Sequence, residues 1–132
     1  MRKIILIIDD EYIILESLRI QLERFLPDEI EVETAYSGDE ANDLLKEFRA
    51  EGWELLVVIS DYNLGDVKGT EVLLEVKNQF PATRRILLSG QAGSDQEIES
   101  YIRETGLDLY LSKPWDIEEL KDKIAFFTGI PR

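Results

Sequence analysis

Short runs rich in β-branched residues and leucine alternate along this chain with longer stretches whose apolar residues recur every three or four positions. The runs at 3–8, 30–35, 55–60, 85–88 and 107–111 predict strands, and the stretches at 11–26, 38–50, 69–79, 95–105 and 116–127 predict helices. In the last helix Ile117, Leu120, Ile124 and Phe127 form one apolar stripe, and in the first Ile14, Leu18, Leu22 and Phe25 do the same. Helix starts carry local chemistry as well. Ser37 with Glu40, Ser94 with Glu97, and Asp116 with Glu119 each place a capping side chain three residues before a glutamate.

Strictly alternating strands and helices imply parallel βα units with right-handed crossovers and helices on both faces of one sheet. The near-continuous run Leu55-Leu56-Val57-Val58-Ile59 is what a strand covered on both faces requires. No linker, repeat or low-complexity segment interrupts the pattern, so the expectation is one α/β domain over 1–132, with its core at about 3–127.

Composition narrows the function classes. The 132 residues are 44% hydrophobic and 33% charged, as in an ordinary globular chain. No apolar run reaches the roughly 18 residues that a spanning helix needs. The apolar start Ile4–Ile8 is too short for a signal peptide and runs into Asp9-Asp10 where small residues would mark cleavage. The absence of cysteine excludes disulfides, zinc-thiolate sites and thiol catalysis, and the absence of histidine removes the commonest general base. A net charge of −13 argues against direct nucleic-acid binding by this domain, which needs clustered Lys and Arg.

Ligands of open parallel α/β sheets bind beyond the carboxyl ends of the strands. Strand one ends in Asp9-Asp10, strand three in Ser60-Asp61, strand four in Ser89-Gly90, and strand five leads to Ser112-Lys113-Pro114. Strand two, ending in Tyr36-Ser37-Gly38, adds nothing comparable, consistent with strands one and three being central. Carboxylates from Asp9, Asp10 and Asp61 held a few ångströms apart repel one another by roughly several kcal/mol each at an effective dielectric of ~20. Such a cluster persists only if some carboxyls protonate or a cation binds. All-oxygen ligands favour Mg²⁺, or Mn²⁺ as the alternative, and few protein ligands suit Mg²⁺, which keeps several waters. With Lys113 and the Ser89 hydroxyl opposite, the constellation suits phosphoryl transfer onto a carboxylate.

These residues resemble the receiver domain of two-component response regulators, over 3–127. The resemblance rests on Asp9-Asp10, Asp61 with Asn63, Gly69, Ser89-Gly90, Tyr110 and Lys113-Pro114. It implies a flavodoxin-like, doubly wound five-stranded parallel sheet of order 2-1-3-4-5, of the chemotaxis-regulator kind, with five surrounding helices. It also implies Asp61 as phosphoacceptor, with Mg²⁺ held by Asp10, Asp61, the Asn63 backbone carbonyl and, through water, Asp9. Lys113 would bridge to the phosphoryl group and the peptide before Pro114 would be cis. Ser89 and Tyr110 would be the switch pair, and Gly90 would keep the acyl phosphate accessible.

The implied function is that of a signalling module rather than an enzyme. It takes a phosphoryl group from a sensor histidine kinase or phosphotransfer protein in the cytoplasm, and remodels the face of helix four, strand five and helix five. That face would serve an output domain, a partner or a homodimer, with Tyr101 and Phe126 as contact candidates.

The sequence departs from the family pattern at Leu64 and Gly65, which stand where methionine and proline are frequent, and the loop 64–66 is expected to gain mobility. The family ties the dephosphorylation rate partly to Asn63 and Gln91. The run Lys113-Pro114-Trp115-Asp116 resembles receivers joined to cyclic-dinucleotide phosphodiesterase-type domains or kinases. The chain's end permits either a stand-alone receiver or one cut from a longer protein.

Two alternatives of other classes stay in view. A haloacid-dehalogenase-like phosphatase would use the same kind of nucleophile, but it normally carries a second aspartate where Asn63 stands, and amide nitrogen exchanges no useful proton. A phosphorylation-independent, protein-binding receiver typically lacks one of the acids or the lysine, all present here. A flavin-binding module is discarded, because Asp9-Asp10-Glu11 would repel the flavin phosphate.

Overall fold

A computed structural model of the chain describes residues 1–90 and 94–132. The elements follow in strict alternation: β1 (Lys3–Ile8), α1 (Tyr12–Phe25), β2 (Ile30–Ala35), α2 (Gly38–Glu51), β3 (Glu54–Asp61), α3 (Gly69–Gln79), β4 (Arg84–Ser89), α4 (Asp95–Thr105), β5 (Leu109–Ser112) and α5 (Ile117–Thr128). The five strands form one parallel sheet in the order β2-β1-β3-β4-β5, the flavodoxin-like arrangement expected from the sequence.

Both faces of the sheet are covered because successive strand side chains point to opposite sides. Ile4, Leu6, Ile8, Val58 and Leu87 pack with Ala41, Leu45 and Phe48 of α2 and Val72, Leu73 and Val76 of α3. Ile5, Ile7, Val57, Ile59, Ile86 and Leu88 pack on the other side with Leu15, Leu18 and Leu22 of α1 and Leu120 and Ile124 of α5. Each such aliphatic side chain, taken fully from water, contributes about 1.5–3 kcal/mol. The double cover explains why the central strands β1 and β3 read as near-continuous apolar runs.

Two details differ from the sequence expectation. In α1 the buried stripe is Leu15, Leu18 and Leu22, while Ile14 and Phe25 are half-buried. Residues 14 and 15 both stand at helical spacing from Leu18, so periodicity alone does not choose between them. The fifth strand begins at Leu109, not at 107. Leu107 is buried but belongs to the connection, where the Asp108 side chain accepts from the backbone N–H of Arg85 (2.8 Å).

The predicted caps form with local variation. Ser37 Oγ accepts from the Glu40 N–H (3.0 Å). Ser94 and Glu97 make the full reciprocal box. Asp116 accepts from the N–H groups of Glu118 (2.9 Å) and Glu119 (3.4 Å). These contacts satisfy backbone donors that a helix start leaves without partners.

Candidate functional site

Sheet register assembles the site. Ile8 pairs with Ser60, so the residues that follow, Asp9 and Asp61, emerge side by side above the two central strands. Ser89 pairs with Ser112, which brings Lys113 next to the end of β4, where its N–H donates to the Ser89 carbonyl (2.8 Å). One carboxylate oxygen from each of Asp9, Asp10 and Asp61 lies within 4.8 Å of the others. Asp9 and Asp61 are buried and Asp10 is exposed.

The three acids are not equivalent. Asp9 accepts from Lys113 Nζ at 2.7 Å through Oδ2 and from the Glu11 N–H at 2.9 Å through Oδ1, so both its oxygens are engaged. Lys113 Nζ also lies 3.2 Å from Asp61 Oδ1. Burial pushes the Asp61 carboxyl above its ordinary range, and the neighbouring Asp9 charge adds to this. Lys113 and the Tyr62 backbone N–H pull the other way without cancelling it. For Lys113, burial works against the charge, but Asp9 and Asp61 outweigh burial and hold the ammonium above its ordinary value.

A cleft of about 190 Å³ opens over Asp61 and Lys113. Asp61, Tyr62, Asn63, Ser89, Gly90 and Lys113 line it together with the exposed Glu11 and Lys68. Ser89 is buried, and Tyr110 is half-buried against the same side of the sheet as Leu87, its partner in the strand ladder. Ser89 and Tyr110 therefore stand diagonally on one face of neighbouring strands. The Lys113–Pro114 peptide is cis. Trp115 packs on the α1–α5 side, where its Nε1 donates to Gln21 Oε1 (3.0 Å).

Two glycines carry different meanings. A Cβ on Gly69 would stand 1.9 Å from the Asp61 carbonyl oxygen and 2.8 Å from Ser60 Oγ, so only glycine lets α3 start against the acceptor's own backbone. At Gly90 a Cβ would meet nothing within 4 Å. Among the described residues packing makes no demand there, and Gly90 lines the cleft.

The sequence reading passed over what the 63–68 segment does. Residues Asn63 and Lys68 pair as an isolated antiparallel bridge, and the Leu64 N–H donates to the Val67 carbonyl (3.1 Å) across a turn with Gly65 at φ +86°. Proline, fixed near −65°, could not occupy that turn position. Asp66 accepts from the N–H groups of Gly38 (3.0 Å), Asp39 (3.0 Å) and Val67 (2.9 Å), which lower its pKa and tie the loop to the start of α2. The loop expected to be mobile is thus anchored at its acidic residue. Asn63 is exposed, and its side chain accepts from the Gly65 N–H (3.2 Å).

Of the contact candidates, Phe126 is 78% exposed, whereas Tyr101 is half-buried with its ring centroid 5.4 Å from that of Tyr62. Gln91 lies outside the described residues.

Residues 5–125 match the family model described as the response regulator receiver domain. The hydrogenase transcriptional regulatory protein HoxA of Cupriavidus necator is 32% identical over 120 residues, spanning 91% of this chain and 23% of that protein. The DNA-binding transcriptional regulator NtrC of Proteus hauseri is 31% identical, over 86% of this chain and 22% of that protein. The chain thus spans about a quarter of the length of these curated relatives. Among solved structures, the signal receiver domain of an HD domain-containing protein from Pseudomonas fluorescens superposes with a TM-score of 0.80 at 32% identity, covering 97% of this chain and 88% of that one. A response regulator receiver domain protein from Clostridium thermocellum gives 0.77 at 31% identity, covering 96% and 94%.

Proposed function

Because this chain belongs to the response regulator receiver domain family, we propose that Asp61 is its phosphoacceptor and that residues 1–132 act as one receiver unit in a phosphorelay. The observation that carries this is the convergence of Asp9, Asp10, Asp61 and Lys113 at one strand edge beneath an open cleft. Receiver domains are signalling modules that work with histidine kinases, and the family supplies that partner class here.

The donor set fits a hard divalent cation. It is all oxygen, it is compact, and Asp9 is already engaged by Lys113 and Glu11, which leaves Asp10 and Asp61 as the direct ligands. The Asn63 carbonyl completes the set in this reading, with Asp9 acting through water. Mg²⁺, or Mn²⁺ in its place, would offset the repulsion between an anionic donor and the Asp61 carboxylate.

Phosphoryl transfer then asks little covalent work of the protein beyond positioning. An Asp61 oxygen forms the new P–O bond as the bond from phosphorus to the donor's nitrogen or oxygen breaks, and the leaving group takes that electron pair. Lys113 follows the charge from the carboxylate to the phosphoryl oxygens, and Gly90 leaves room for the donor.

Ser89, one strand away, donates to a further phosphoryl oxygen, and Tyr110 occupies the space that Ser89 vacates. The face of α4, β5 and α5 changes with that pair. A shift from 1:99 to 99:1 needs about 5.5 kcal/mol of differential stabilisation. The exposed Phe126 and Ile102 suit that face to a partner or a homodimer.

The net charge of −13 sets direct nucleic-acid contact aside for this unit, and no described helix is long and apolar enough to cross a membrane. A cytoplasmic site of action follows from the kinase partnership. The phosphatase alternative keeps Asp61 as nucleophile but gives the acidic pair Asp9-Asp10 no place. Incubation with acetyl phosphate and Mg²⁺ tests the reading: one phosphoryl group is added per chain, and a label that persists in Asp61→Asn overturns the assignment.

A further inference from the structure

Two lysines reach the cleft, and they are differently committed. Lys113 is half-buried between Asp9 (2.7 Å) and Asp61 (3.2 Å). Lys68 is exposed and lines the cleft, and among the described residues it makes no ion pair. Its ammonium rests 5.2 Å from the centroid of the Tyr62 ring, the residue next to Asp61.

Its position is set by backbone. The bridge to Asn63 places Lys68 opposite the residue two after Asp61, and the Lys68 N–H donates to Glu71 Oε2 (2.8 Å) at the start of α3. The side chain is therefore not needed for the cap. A cation over an aromatic face at an exposed site is held by only about 0.5–1 kcal/mol. An arriving anion can draw it off the ring. The other exposed charges nearby are acidic, with Glu11 also lining the cleft and Asp10 near Gly65. A dianionic donor approaching a chain of net charge −13 needs a local cation before it reaches Lys113.

We propose that Lys68 is a donor-binding residue of the phosphotransfer reaction, an unpaired ammonium parked on Tyr62 that engages the phosphoryl oxygens of the incoming donor at the mouth of the cleft. It recruits and orients the donor, while bond making and breaking remain at Asp61. This rests on Asp61 being the acceptor.

The test measures the second-order rate constant of phosphorylation by acetyl phosphate at saturating Mg²⁺ in wild type, Lys68→Gln and Lys68→Arg, with thermal midpoints recorded alongside. Lys68→Gln is expected to react about three- to ten-fold more slowly at low salt, the range for losing a partly exposed charged contact. Lys68→Arg should recover most of the rate, and the gap between Gln and wild type should narrow as ionic strength rises. An unchanged rate in Lys68→Gln overturns the proposal. So does an equal loss in Gln and Arg variants accompanied by lowered midpoints, which marks a structural role. Failure to label wild type overturns the Asp61 reading itself, and Lys68 with it, whereas labelled wild type with an indifferent Lys68 overturns Lys68 alone.

Discussion

The Lys113 ammonium lies 3.2 Å from Asp61 Oδ1 at the carboxyl end of the sheet, where Asp61 is buried and Lys113 half-buried. The same ammonium is 2.7 Å from Asp9 Oδ2, so one cation serves two buried carboxylates. The pair is neither a surface ornament nor an isolated bridge. Its energetic weight comes from what either carboxylate would face without it.

Removing that cation leaves two buried carboxylates without their charge partner. Lys113→Ala is expected to lose about 1–3 kcal/mol of stability at neutral pH without metal, measured by urea denaturation. The deficit should shrink on acidification, as the Asp61 carboxyl, held above its ordinary range, protonates and no longer needs the ammonium. In phosphorylated protein the same variant should uncouple the label from any partner response.

Neutralising Asp61 should do the reverse. Its folded pKa is raised above the ordinary 3.8 by burial and by Asp9, so the folded state binds this proton more tightly than the unfolded chain does. Stability from this group is therefore present below 3.8 and is lost as pH rises through the folded value. Asp61→Asn lacks that loss. Without metal its thermal midpoint should exceed that of wild type at neutral pH, and the difference should fade in acid.

Gly69 tests the positioning of the acceptor. A methyl group there would collide with the Asp61 carbonyl oxygen, and that neighbour is backbone. Gly69→Ala should cost at least about 1–3 kcal/mol, the range for overpacking, and should slow phosphorylation by displacing Asp61. Chemical denaturation and the labelling rate check the two effects separately.

Asp66 is an electrostatic anchor of the loop beside the cleft. Its pKa is lowered by the N–H groups of Gly38 and Asp39, so its contribution is present above the unfolded pKa and lost as pH falls through the folded one. Asp66→Ala should speed amide hydrogen exchange at Gly38, Asp39 and Val67 while leaving exchange in β3 and β4 unchanged.

These residues also mark where sequence reading reaches its limit. The central strands β1 and β3 were legible because a doubly covered strand must be apolar throughout, and the acids and the lysine stood out because they stand at or just past strand ends. The fifth strand's start was not legible, since Leu107 is as apolar in a buried connection as in a ladder. Asp66 and Lys68 were invisible for another reason. Asp66 meets a helix start 28 residues away, and Lys68 reaches the cleft through a short bridge built on the positive φ of Gly65. Neither contact leaves a periodic trace.

The most direct measurement of the central claim is the location of the phosphoryl group. Protein treated with acetyl phosphate and Mg²⁺ is reduced with borohydride, which converts an aspartyl phosphate to homoserine, then digested and sequenced by mass spectrometry. The account predicts one modified residue, Asp61, and none in Asp61→Asn. Modification at Asp9 or Asp10 instead, or no modification of wild type at saturating Mg²⁺, would contradict it.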